Sequence, residues 1–172
     1  FESYTIGAKP PKDALGFDGM NSAVTDKARM YVEKDGNNQV LKCYHGAPEG
    51  DQNRSPRLEK IFTTKKLTNM TISYRVKSSG GGTGVSLAIM QGGTNTAITW
   101  SGTPSNFSEW TEIKVVLDVA GDRLNMYING EPRVEDKVIS ISDKESIALR
   151  LSATVDVDGS WAMIDNFKVT TT

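Results

Sequence analysis

The side chains most able to do chemistry are few and scattered. His45 is the only histidine and Cys43 the only cysteine. A serine nucleophile would have to draw on His45, yet no Gly-x-Ser-x-Gly turn presents one. A zinc site needs more nitrogen and sulfur ligands than one His and one Cys supply. Glu33 and Asp35 form a close acidic pair, but they lead into Asp35-Gly36-Asn37-Asn38, a turn sequence. Ser78–Gly84 (SSGGGTG) is glycine-rich but lacks the Gly-Lys-Ser/Thr ending of a phosphate cradle. No linear catalytic string is present. Two carboxylates brought face to face by folding stay open as a hydrolytic pair.

Binding chemistry is better represented. Aromatic faces stack on sugar rings, and a planar guanidinium grips a carboxylate with two hydrogen bonds. The alternating runs of the chain put Lys42 and Tyr44, Arg75 and Lys77, Lys114, Asn125 and Tyr127, and Arg150 on faces that point away from a core. If one sheet gathers several of them, it forms a positively charged groove with tyrosines, suited to a uronic-acid chain. A one-residue bulge would invert such an assignment. Trp100 lies beside a Gly-Pro turn and is a candidate stacking platform, alone or with Phe107; packing under that turn is the alternative. Trp110 and Trp161 each begin a strand, where core or rim packing is expected. Tyr44, His45, Arg54 and Arg57 flank or fill a Pro- and Gly-bearing loop that would serve a chain end.

The elements that must position these groups are strands. NMTISYRVKS sets Met70, Ile72, Tyr74 and Val76 against Thr71, Ser73, Arg75 and Lys77. Val85, Leu87 and Ile89, then Ile113, Val115 and Leu117, then Ile147, Leu149 and Leu151 repeat the period of two. Leu41 and Cys43 alternate with Lys42 and Tyr44, which makes Cys43 a buried, inert thiol. Asp35-Gly36, Ala120-Gly121-Asp122 and Asn129-Gly130 supply the turns. The 172 residues suit one domain, residues 1–172. About ten strands at this spacing predict an all-β, two-sheet antiparallel sandwich. A net charge of -1 gives no overall field for nucleic acid, and no apolar run is long enough to span a bilayer. A start at Phe1 reads as a mature or excised module.

Four stretches carry a family resemblance: FESYTIGAKP, KDGNNQVLKCYH, SEWTEIKVVLDVAGDRLNMYING and SWAMIDNFKV. Together they resemble the concanavalin-like jelly-roll carbohydrate-binding modules of secreted bacterial polysaccharide-degrading enzymes, the pectate lyase- and levanase-associated type. The resemblance implies a secreted, monomeric, non-catalytic domain that holds polysaccharide for an attached catalytic domain. It also implies a structural Ca²⁺ held by Glu2 and Asp165, with Asp18 or Asp26 as further oxygen donors. Six to eight oxygens would satisfy that ion. Asp156-Val-Asp158-Gly159 reads as a hairpin turn instead. Glycosidases of this fold carry Glu-x-Asp-x-x-Glu, which is absent here. A jelly-roll polysaccharide lyase would cast Tyr44, His45 and Arg75 as its working groups, although neighbours on a strand point to opposite faces. The Tyr-x-Asn-Gly run also resembles laminin-G sandwiches, which leaves a protein-binding or adhesive domain as a third reading.

Overall fold

Apolar residues at every second position give each strand one greasy face, and two sheets hide those faces from water. The computed structural model describes residues 2–3, 5–7, 28–45, 57–63, 69–80, 84–91, 98–102, 107–141, 146–154 and 159–172. For residues 28–30, 45, 57–63, 84, 90–91, 98–102, 146–148 and 150–154 it describes the strand alone, without side chains.

The strands are β1 (Ala28–Asp35), β2 (Asn38–His45), β3 (Arg57–Thr63), β4 (Asn69–Ser78), β5 (Gly84–Gln91), β6 (Ile98–Gly102), β7 (Thr111–Asp118), β8 (Arg123–Ile128), β9 (Glu131–Val138), β10 (Ser146–Thr154) and β11 (Trp161–Thr171). They form a seven-stranded sheet in the order β1-β2-β11-β4-β7-β8-β9 and a four-stranded sheet in the order β3-β10-β5-β6. All the pairings are antiparallel. This is the expected all-β sandwich of the jelly-roll kind.

The core lies between the sheets. Met70, Ile72, Tyr74 and Val76 of β4, with Ile113, Val115 and Leu117 of β7, meet Val85, Leu87 and Ile89 of β5 and Leu149 of β10. Cys43 is fully buried among them, and burial pushes its thiol pKa well up, so it is inert while folded. Two hairpins are tight for local reasons. Asn129 and Gly130 both have positive φ, 50° and 83°, and Ile128 pairs with Glu131 across a two-residue turn. Gly36, at φ 63°, opens the turn between β1 and β2, where Asp35 pairs with Asn38. The edge strand β9 is almost wholly exposed, and Pro132 and its charged side chains discourage further pairing.

One irregularity interrupts β11. In β11, Asp165 pairs with Arg75 and Lys168 with Ser73, so Asn166 and Phe167 together oppose Tyr74 alone. This bulge holds Asn166 at φ 52°, a left-handed value that asparagine tolerates. Before it, Ala162 and Ile164 face the core; after it, Phe167 and Val169 pack there. The inward set thus moves from even to odd numbers, and Lys168 emerges on the outer face beside Ser73.

Candidate functional site

The outer face of the seven-stranded sheet collects most of the residues singled out from the sequence. Lys42 and Tyr44 stand on β2, Arg75 and Lys77 on β4, Lys114 on β7, and Asn125 and Tyr127 on β8, each alternating with buried neighbours. Cross-strand register aligns them in rows. Tyr44 lies opposite Trp161, Met163 separates Lys42 from Lys77, Arg75 lies between Asp165 and Glu112, and Lys114 lies opposite Tyr127.

Three cations on this face rest over aromatic rings. Lys42 Nζ lies 5.6 Å from the Trp161 centroid, the Arg75 guanidinium 5.1 Å from Trp110, and Lys114 Nζ 5.8 Å from Tyr127. Each such contact contributes about 0.5–1 kcal/mol at a partly exposed site. Both tryptophans are half-buried on this side of the sheet, which is rim packing of the kind expected. Their role as seats for Lys42 and Arg75 needed the register between strands, which no single run of sequence discloses.

The groove is not simply positive. Lys42 forms an ion pair with Glu33 at 2.9 Å, and Arg75 is flanked by two carboxylates in register. A cleft of about 250 Å³ lies beside the bulge, lined by Ser73, Tyr74, Arg75, Glu112, Asn166 and Lys168. That is below the roughly 300–1,000 Å³ of pockets for drug-sized ligands. The space suits one small polar unit, with two cations, one carboxylate, an amide and a hydroxyl to meet it.

Arg150 is elsewhere. It lies on β10, in the four-stranded sheet, where it pairs with Glu59 and Ala88. A single patch holding both Arg75 and Arg150 is therefore not formed, because alternation gives a residue's face but not its sheet. Trp100 belongs to β6 and pairs with Ile89, and its side chain lies outside the described residues. Arg54, Asp18, Asp26 and residues 155–158 also fall outside them, as do the side chains of His45 and Arg57.

The tip of the β1–β2 hairpin dominates one part of the face. Asp35 ends β1, and Trp110 precedes β7, four places away in the sheet. Flat strands would put about 19 Å between them. The Trp110 indole N–H nevertheless donates to Asp35 Oδ2 at 2.6 Å. The tip therefore bends over the outer face. Val40, on that same side of β2, is fully buried.

The same tip gathers the two carboxylates expected to form a metal clasp. Asn38 Nδ2 donates to Asp165 Oδ2 at 2.8 Å, while the Gln39 backbone N–H donates to Glu2 Oε1 and its side-chain Nε2 donates to the Glu2 carbonyl, both at 2.8 Å. Asp165 is 4% exposed, and the buried Gln39 Oε1 has no hydrogen-bond partner among the described residues. The acceptor atoms gathered here, the Glu2 and Asp165 carboxylates, the Glu2 carbonyl and Gln39 Oε1, are hard oxygens, which fits Ca²⁺ rather than a thiophilic metal. Among the described residues no three acidic, His or Cys side chains cluster, so amide and carbonyl oxygens would have to complete the shell.

Tyr31 adds a titration handle at the sheet edge. Its pKa is pushed up to about 12, first by burial, then by the charge of Glu33 and a hydrogen bond to it. A raised phenol pKa contributes stability that is fully present below the ordinary value near 10 and is lost as pH climbs towards 12. Glu33→Gln removes the charge and is expected to bring the Tyr31 pKa down towards 10, read from tyrosinate absorbance in an alkaline titration. An unchanged titration would mean that burial alone sets the shift.

No protein-family model matches the sequence, and no curated protein does. Among solved structures the chain is similar to a candidate sugar-binding protein from Bacteroides thetaiotaomicron, with 11% identity and a TM-score of 0.53 over 89% of this chain and 86% of that one. It is similar to a sialidase with 12% identity and a TM-score of 0.53 over 83% of this chain, which spans only 16% of the sialidase. A CBM4 carbohydrate-binding module gives 13% identity and a TM-score of 0.49 over 84% of this chain and 78% of that one. At these identities the first two likenesses carry architecture alone: the chain has a two-sheet β-sandwich of the jelly-roll kind.

Proposed function

We propose that this chain is a non-catalytic carbohydrate-binding module acting outside the cell, which holds polysaccharide on the outer face of its seven-stranded sheet for an attached catalytic domain. The observation that carries the reading is the cleft at the β11 bulge, where Arg75 and Lys168 face Ser73, Asn166 and Glu112 on a surface of cation-seated aromatic rings. Sugars need both parts of that arrangement. Ring faces pack on aromatic or apolar surface, and hydroxyls need donors and acceptors fixed in place. Arg75 and Lys168 extend the preference to an acidic, pectin-like chain, since a uronate carboxylate can take two hydrogen bonds from a guanidinium. The fold of a sugar-binding protein and of a small part of a sialidase agrees with a module that works alongside a larger enzyme. Glu2 and Asp165 hold a structural Ca²⁺, which supplies charge to pin the first residues to the last strand; Asn38 and Gln39 orient the two carboxylates.

Gel retardation against polygalacturonate, alginate, levan and a neutral glucan tests the reading. Arg75→Ala is expected to weaken binding to the acidic polymers by roughly ten- to a hundredfold, the scale of a lost charge-assisted hydrogen bond. The difference should shrink as salt is raised. No retardation by any glycan would end the proposal. New ultraviolet absorbance from an unsaturated uronate product would make the protein a lyase instead.

A further inference from the structure

The described cation that faces the cleft from β4 is not free to choose its direction. Arg75 rests on the Trp110 ring at 5.1 Å, and that ring is itself anchored, because its indole N–H donates to Asp35 Oδ2 at 2.6 Å. Trp110 precedes β7 and Asp35 ends β1, so a chain of two contacts links the end of β1 to the Arg75 guanidinium on β4. A short indole bond to a carboxylate is charge-assisted and directional. It fixes the plane of the ring, and the ring face in turn fixes where a stacked guanidinium can lie. Arginine has high rotamer freedom, so holding it in place before ligand arrives reduces the ordering cost of binding.

From this geometry we infer that Asp35 and Trp110 are positioning residues for anion recognition: they hold the Arg75 guanidinium towards the cleft and set its selectivity for acidic over neutral sugars without touching the ligand. The inference rests on the reading of the cleft as a sugar site. Neither Asp35 nor Trp110 lines the cleft, and Asp35 reaches it through Trp110 and Arg75. The contacts run from Asp35 through the ring to Arg75, and this is the route by which Asp35 acts on ligand. Selectivity would thus be tuned from the tip of a hairpin whose strands do not line the cleft.

Five proteins test it: wild type, Asp35→Ala, Asp35→Asn, Arg75→Ala and Asp35→Ala combined with Arg75→Ala. Polygalacturonate and a neutral glucan are the probes. Asp35→Ala is expected to weaken polygalacturonate binding about two- to fivefold, the scale of one lost cation–ring seat. Neutral glucan binding should stay within about twofold of wild type, inside ordinary surface-substitution effects. Asp35→Asn keeps an acceptor oxygen for the indole and should restore most of the loss. On the Arg75→Ala background, Asp35→Ala should add nothing, the signature of residues acting through one another. Equal losses for both glycans, or additive losses in the double variant, would overturn the inference.

A second measurement stands apart from glycan binding. Seated over the indole, the Arg75 side-chain protons are shifted by the ring current. Asp35→Ala should move those resonances towards ordinary arginine positions, and Asp35→Asn should not. Resonances unchanged in Asp35→Ala would refute the positioning role even if polygalacturonate is never bound. Absence of binding with the expected resonance shifts would instead count against the sugar reading alone.

Discussion

Replacing Tyr74 with alanine is expected to lower the unfolding free energy by about 3–5 kcal/mol, the range for removing a large ring from a packed core. Tyr74 is 1% exposed at the middle of β4, and its ring meets Phe167 with centroids 6.2 Å apart. The loss corresponds to roughly 6–20 °C in Tm for a domain of this size. Tyr74→Phe should behave differently. The Tyr74 hydroxyl is buried with no hydrogen-bond partner among the described residues. Deleting it removes a desolvated polar group, so stability should hold or rise by up to about 1–3 kcal/mol. Urea midpoints of the two variants check both expectations. A phenylalanine variant weaker than wild type by more than about 1 kcal/mol would show that the hydroxyl is bonded in solution.

Calcium should produce the second large effect. If Glu2 and Asp165 hold the ion, protein in Ca²⁺ at a hundred times Kd gains about 2.7 kcal/mol over metal-stripped protein. That gain raises Tm by roughly 5–10 °C. Asp165→Asn and Glu2→Gln should each erase the difference. Asp165→Asn keeps an oxygen to accept from Asn38 Nδ2, so its apo form should melt close to apo wild type. Stripped and loaded wild-type protein melting together would remove the clasp from the account. The buried Gln39 Oε1 makes a further point: an ion there would satisfy an oxygen that otherwise has no partner among the described residues.

The strands were legible because their signal is local. NMTISYRVKS coincides with β4 residue for residue, and the faces read from its alternation match its burial. Turns were legible too, since Asn129-Gly130 needs positive φ and little else. Sheet membership was not. Arg75 and Arg150 look alike in their runs, yet one belongs to each sheet, because strand order is fixed by contacts far apart in the chain. The cleft was missed for a related reason. Lys168 and Asn166 reach it through the bulge, and the one clue in the sequence is the change of step in AMIDNFKV, where apolar residues move from even to odd positions. Trp110 and Trp161 were readable as strand starts, but not as supports for particular cations, since those pairs join different strands.

The bend of the β1–β2 hairpin has a consequence for engineering. Exposed hairpin tips are ordinarily the favoured places to insert a tag, open a new terminus or graft a domain. Here Asp35, Asn38 and Gln39 lie within five residues and are bonded to Trp110, Asp165 and Glu2. An insertion between Gly36 and Asn37 would disturb three attachments at once, although the turn itself is exposed. A graft at this tip should be poorly tolerated, so a chimera built from this sandwich is better joined elsewhere.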